Sequence, residues 1–406
     1  MSEAGMVIIG AGKAASRAVV GLREFGWEGP ITLIGEEALP PYDRPPLSKA
    51  SMLEEGDPAP VTLLDMETIA ALNATFVGNS RAEKIDCAAH EVVLHDGRRI
   101  PYKKLLVCTG ARARKLSLAG AERAFLLRDF PDMQALRSVF TEGRSVAIVG
   151  GGFIGLELAS SAVKRGCKVT VIEALPRILA RAVPEEIAAI VAKRHAEAGV
   201  NILTNVQIER IEADAAILKD GHRVEAEVLI AGIGAAPATA LAEASGLVLE
   251  NGIACDGHMR TSDPDVYASG DCASFPHPLF DGRRMRLEAW RAASDQASVA
   301  AANMAGGDKT YDAVPWFWSD QFDLNLQIAG VPADGPRVVR RAVKDDGVVL
   351  FHLAEDGTLK GASGIGRGNH VGRDVRLAEM LIAKRAKPDP EALANPDVQL
   401  KALLRG

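Results

Sequence analysis

Closely spaced cysteines are missing from this 406-residue chain. The five present, Cys87, Cys108, Cys167, Cys255 and Cys272, show no C-x-x-C or C-x4-C spacing. This argues against metal or iron–sulfur ligation by the chain, and a dispersed, odd-numbered set fits reduced thiols of a cytoplasmic protein, buried as small apolar residues. No run of about 18 apolar residues occurs, so no membrane span is expected. Positive charge is not in excess: 47 Lys and Arg stand against 53 Asp and Glu, a net charge of -6 that argues against bulk nucleic-acid binding. Low-complexity segments and short-period repeats are absent. Acidic Glu3 and the strand-like run from Met6 are expected to leave no room for a signal peptide. A globular composition, 48% hydrophobic and 25% charged, leaves length enough for two to three domains.

Two glycine-rich turns dominate what is there. The first follows Met6-Val7-Ile8-Ile9 and reads Gly10-Ala11-Gly12-Lys13-Ala14-Ala15; the second follows Val146-Ala147-Ile148-Val149 and reads Gly150-Gly151-Gly152-Phe153-Ile154-Gly155. At a strand-to-helix turn, glycines let the backbone approach a pyrophosphate whose charge the helix N-terminus favours. Each turn opens a helix (14–25 and 153–165) and leads to a second strand, Ile31–Ile34 or Lys168–Ile172, that ends at an acid. Glu173 is placed to accept both ribose hydroxyls of an adenosine, favouring NADH over NADPH, although Arg177 four residues on offers room for a phosphate. Glu36 holds the corresponding place in the first unit, with Glu37 adjacent.

Three further elements point to a flavin. Pro41-Tyr42-Asp43-Arg44-Pro45-Pro46-Leu47-Ser48-Lys49 is too stiff at its prolines to continue a strand and too charged for core. Thr109-Gly110 ends the strand Leu105–Cys108, and Gly270-Asp271 is expected to place a carboxylate at a helix start, suited to a polyol. The strand Val228–Ile230 runs into Ala231-Gly232, adding Gly232, with Arg181, to the expected NADH side. From about Asp312 the texture changes: alternation over Val348–Leu353 predicts an antiparallel sheet, and a helix is expected over Val375–Lys384.

Together these strings, with Leu156-Glu157, Ser269-Gly270-Asp271 and Trp316-Phe317-Trp318-Ser319-Asp320-Gln321, resemble the FAD-dependent NADH:ferredoxin reductases of bacterial oxygenase systems over essentially the whole chain. The resemblance implies a glutathione-reductase-like α/β fold: an FAD-binding domain (1–111 and 236–312) interrupted by an NADH-binding domain (112–235), then an α+β domain (313–406). It implies a Lys49–Glu157 ion pair beside the flavin edge where hydride arrives, with Phe153 near the nicotinamide. It further implies Arg44 and Arg128 on FAD, and Trp318 with Glu288-Ala289-Trp290 bordering the isoalloxazine.

Relatives that reduce disulfides or peroxide carry cysteine near the flavin. Residues 36–60 contain none, so electrons are expected to leave for an outside carrier, a [2Fe–2S] ferredoxin feeding an oxygenase. Arg283, Arg284, Arg286 and Arg291, and Arg337, Arg340, Arg341 and Lys344, are the basic clusters on which an acidic ferredoxin would dock. The tail Lys387–Pro396 resembles reductases of Rieske-type dioxygenases more than those of haem monooxygenases. The alternatives are a flavin NADH oxidase, a rubredoxin reductase, or a non-catalytic flavoprotein.

Overall fold

The β-branched runs and glycine turns resolve, in a computed structural model describing residues 4–405, into two compact units. Glu3, on which the expectation about a signal peptide rests, lies outside the described residues. The first unit comprises residues up to Arg44, Pro60–Arg112 and Ala236–Ala313. Strands Ala74–Val77, Ile31–Ile34, Gly5–Ile9 and the end of Arg99–Val107 lie parallel in that order, and Val266–Ala268 also pairs with Arg99–Val107. The first half of Arg99–Val107 pairs antiparallel with Glu91–Leu94, so one strand joins a parallel nucleotide sheet to an antiparallel flank. Gly5–Ile9 is buried throughout, as a central parallel strand covered on both faces requires. Helix Lys13–Glu24 packs on the alanine-rich helix Trp290–Met304 so closely that a Cβ at Gly21 would stand 3.0 Å from the Ala301 Cβ.

The second unit comprises Pro45–Ala59, Ala113–Ala235 and Val314–Gly406. Its parallel sheet runs Asn201–Leu203, Lys168–Ile172, Ser145–Val149, Val228–Ala231, with helix Phe153–Lys164 following the second glycine turn. Its five-stranded antiparallel sheet runs Trp316–Gln321, Leu324–Gly330, Leu359–Arg367, Gly347–Leu353, Arg337–Val343. Gly347–Leu353, an inner strand, is buried at every position rather than alternately, which means that both of its faces are covered. The glycine-rich stretch 364–366 continues a strand, and a Cβ at Gly364 would press on Val371 and Val375 at the start of helix Gly372–Ala383. Small residues there let helix and sheet approach.

Where the sequence reading drew three domains, the structure forms two units, and segment 45–59 groups with the second. Hydrogen bonds hold it there: Ser161 Oγ donates to the Ser48 carbonyl at 2.6 Å, Arg165 to that of Met52 at 3.0 Å, and Arg137 to that of Glu54 at 2.7 Å. Among the described residues no helix is long and apolar enough to cross a membrane.

Candidate functional site

Both glycine turns expose a bare helix N-terminus. Gly10 and Gly150 have φ of +122° and +110°, and a Cβ on either would overlap a backbone carbonyl, of Cys108 and Gly232 respectively. Only glycine meets both demands. Gly12 and Gly152 are the N-caps of their helices without a side-chain cap, and nothing stands within 4 Å of where their Cβ atoms would be. Neither helix has an acid in its first turn. Free N–H groups, the positive end of the helix dipole and open space over the second glycine form a cradle that fits a pyrophosphate. The turns differ at their last position. Ala15 is accommodated with its side chain fully buried, whereas a Cβ at Gly155 would overlap the Gly150 carbonyl.

The acids behind the turns are differently engaged. Glu173 accepts the Gly151 N–H at 2.7 Å and the Leu175 N–H at 2.8 Å, which fixes its carboxylate against the turn. Arg177 spends donors on the carbonyls of Ala180 and Val183 at 3.3 and 3.0 Å, and Arg181 is exposed. Glu36 is exposed and pairs with Arg112 at 2.8 Å. Glu37 accepts from both Tyr42 Oη and Arg44 at 2.5 Å.

Also in the first unit, the Trp290 indole N–H donates to Asp43 at 2.6 Å, and Lys13 Nζ lies 3.8 Å from the centre of the Trp290 ring. Ala289 is the N-cap of helix Trp290–Met304, and Glu288 pairs with Arg286. Thr109 Oγ1 donates to the Ala238 carbonyl at 2.7 Å, and Gly110 has φ of +69°. Asp271 corrects an expectation: it lies in a turn that enters strand Ala273–His277, not at a helix start. The turn forms because Gly270, at φ +80°, accepts the Ala273 N–H at 2.9 Å, while its own N–H is captured by Gln296 at 2.8 Å. Gln296 was missed by sequence reasoning. It is wholly buried, and its Nε2 has no partner among the described residues.

In the second unit the structure brings Lys49 and Glu157 together at 3.2 Å. Glu157, one turn into the helix that follows Gly152, is 4% exposed and accepts from Ser48 Oγ at 2.5 Å and Ser319 Oγ at 2.6 Å. Burial raises its carboxyl above the ordinary range, and Lys49 and the two hydroxyls oppose that rise. Lys49 also lies 3.8 Å from Asp320 and 5.4 Å from the centre of the Trp318 ring. Phe153 packs on Phe317 at 4.5 Å between ring centres, leaving neighbouring Ile154 46% exposed beside the turn. Pro45 opens the 3-10 turn that delivers Ser48 and Lys49, and the half-buried Arg128 lies just before the helix Phe130–Val139. A Cβ at Gly232 would stand 3.3 Å from the Gly155 Cα, so this pair of glycines seats the helix on the sheet.

Comparison with known proteins fits this geometry. Residues 5–297 match the pyridine nucleotide-disulphide oxidoreductase model, and residues 316–404 match the reductase C-terminal model. The chain belongs to the pyridine nucleotide-disulphide oxidoreductase family. It is 39% identical to the ferredoxin–NAD(+) reductase component of the anthranilate 1,2-dioxygenase system of Burkholderia cepacia, over 100% of both chains. It is 34% identical to putidaredoxin reductase of Pseudomonas putida, over 98% of this chain and 96% of that one. The crystal structure of the covalent putidaredoxin reductase–putidaredoxin complex superposes with a TM-score of 0.93 at 32% identity, covering 100% of this chain and 99% of that one. The fold is therefore glutathione-reductase-like, and the protein is an oxidoreductase. Members of this family bind FAD and use NADH, and two open glycine cradles suit two dinucleotides.

The expected basic surface needs correction at one residue. Arg341 is buried: it pairs with Asp374 at 3.0 Å and donates to the carbonyls of Leu393, Asn395, Pro396 and Val398. It anchors the C-terminal segment and is removed from any docking face. Arg284 pairs with Glu250 at 2.8 Å, Arg286 is largely covered beside Glu288, and Arg340 pairs with Glu186 at 2.7 Å. Arg283 is exposed beside Phe280.

Proposed function

We propose that this chain is a cytoplasmic NADH-dependent ferredoxin reductase of an oxygenase system. FAD is held at the Gly10 turn, with Glu36, Arg44, Thr109, Asp271 and Trp290 as its further contacts, and NADH at the Gly150 turn backed by Glu173. The observation that carries this reading is the pair of uncapped glycine cradles, each followed by a strand-end carboxylate, in a chain with no cysteine between residues 36 and 60. Bound FAD supplies the conversion of a two-electron donor into two one-electron deliveries. Each NADH gives up a hydride, NAD+ leaves, two oxidised ferredoxins each take one electron, and one proton is released.

The protein's part is orientation and electrostatics. The bare helix N-terminus at Gly152 seats the NADH pyrophosphate, and the Lys49–Glu157 pair fixes charge one turn further along the same helix. The engagement of Arg177 by backbone carbonyls favours NADH over NADPH. An acidic [2Fe–2S] ferredoxin is the acceptor, with the exposed Arg283 on the docking surface. The cytoplasmic placement rests on the five unpaired, scattered cysteines.

Anaerobic stopped-flow mixing with NADH is expected to bleach the flavin, and reoxidation by ferredoxin to outpace reoxidation by oxygen. Oxygen reacting as fast as any ferredoxin would overturn the proposal. A relative 37% identical over 356 residues is a rubredoxin–NAD(+) reductase of Pseudomonas putida, so rubredoxin belongs in the same comparison. Glu173→Ala is expected to raise the KM for NADH about tenfold and to leave FAD content unchanged. Loss of flavin from that variant would reverse the assignment of the two turns.

A further inference from the structure

A chain of buried polar side chains leads from Glu157 to a histidine on another helix. Ser319 Oγ lies 2.6 Å from Glu157 Oε1, and Gln321 Nε2 lies 3.1 Å from Ser319 Oγ. Gln321 Oε1 lies 2.9 Å from Nε2 of His195, on helix Glu185–Glu197. His195, Gln321 and Ser319 are 0%, 2% and 1% exposed. We propose that these three positioning residues form a one-way hydrogen-bond relay that turns the Ser319 hydroxyl onto Glu157 and holds that carboxylate as the ionised acceptor opposite Lys49. The inference rests on the functional reading of the Lys49–Glu157 pair given above.

The direction follows from counting protons. With Glu157 ionised, Ser319 donates to Glu157, Gln321 donates to Ser319, and His195 donates its Nε2 proton to Gln321, so every link is made. Protonation of Glu157 allows the reverse order: Glu157 donates to Ser319, Ser319 to a flipped Gln321, and Gln321 to His195 Nε2. The imidazole proton must then move to Nδ1. That atom is buried and has no partner among the described residues, and the edge-on ring of Phe322 lies against the imidazole at 4.9 Å between centres. A buried N–H without an acceptor costs more than a buried lone pair without a donor. The far end of the relay therefore holds Ser319 as a donor to Oε1 and confines a proton on Glu157 to Oε2, beside Ser48, and a hydroxyl held as donor to the carboxylate favours its ionised form. The charged groups facing the relay are Lys49 and Asp320 at the Glu157 end, and Arg194, paired with Asp323, at the His195 end, where Lys164 lies over the Phe322 ring.

The direct test is long-range 1H–15N NMR of 15N-histidine-labelled holoenzyme at pH 7. His195 is expected as the neutral tautomer protonated at Nε2; a proton at Nδ1 overturns the relay. In His195→Leu holoenzyme the acid limb of the pH profile for flavin reduction by NADH is expected to move up by about one pH unit. His195→Gln, which keeps an N–H donor, is expected to bring it back. An unmoved limb in a folded, flavin-loaded His195→Leu protein also overturns it. If that variant does not fold, the tautomer of the parent decides. A parent flavin that NADH cannot bleach would instead sink the functional reading and leave the tautomer result standing.

Discussion

Lys49 and Glu157 are not equivalent partners. Glu157 is 4% exposed and committed to two hydroxyls, whereas the Lys49 side chain keeps 20% of its surface in solvent. Removing the carboxylate's charge relieves a desolvation cost; removing the ammonium leaves a buried anion without its cation. Glu157→Gln is therefore expected to fold at least as stably as the parent while slowing flavin reduction by NADH about tenfold or more. Lys49→Met is expected to lose about 1–3 kcal/mol of stability in urea titrations as well as rate. Equal stability losses in the two variants would contradict this asymmetry. The residues of the pair stand in strings readable from the sequence. The carboxylate's partners Ser48 and Ser319, and Gln321 behind Ser319, stand in the same strings without a signal of their own, and His195 carries none beyond its place on a helix.

At the scale of elements, the glycine turns separate folding from binding. Gly12 and Gly152 have extended backbone angles open to any residue, and space where a methyl would stand. Gly152→Ala is expected to leave thermal unfolding unchanged or slightly raised. It is expected to weaken NADH binding about tenfold or more, because the backbone can no longer approach the pyrophosphate. Gly12→Ala is expected to lower FAD content in the same selective way. Gly155→Ala should do the opposite: its Cβ would strike the Gly150 carbonyl, costing about 1–3 kcal/mol of stability, read by denaturant titration. The C-terminal element offers a parallel contrast. Arg341→Ala is expected to cost about 3 kcal/mol, by freeing Asp374 and four backbone carbonyls. The salt dependence of ferredoxin reduction should stay unchanged, whereas Arg283→Ala should flatten that dependence and spare the fold.

For the whole molecule, buried histidines set the response to acid. Burial lowers both His195 and His352 to about 4, and it lowers His277 as well. In the unfolded chain these groups take up protons near pH 6.5, so between about pH 6.5 and 4 the unfolded state binds more protons than the native state. Stability should be fully present above pH 6.5 and decline as pH falls through that window, by up to about 3 kcal/mol for each of His195 and His352. Urea midpoints at pH 7 and pH 5 test this, and equal midpoints would refute it. The sequence alone determined the strands and helices around both glycine turns, the acids behind them, the antiparallel character of the C-terminal sheet and the family. Each of these is written in neighbouring residues, as a period of 2 or 3.6 and a turn that only glycine can make. Tertiary structure alone decided that segment 45–59 joins the second unit, that Asp271 precedes a strand, that Arg341 is an anchor, and that Glu157 meets Ser48, Ser319 and, through Gln321, His195. Those partners lie 109, 162 and 126 positions apart along their links, and no local periodicity records which distant side chains a buried carboxylate will find.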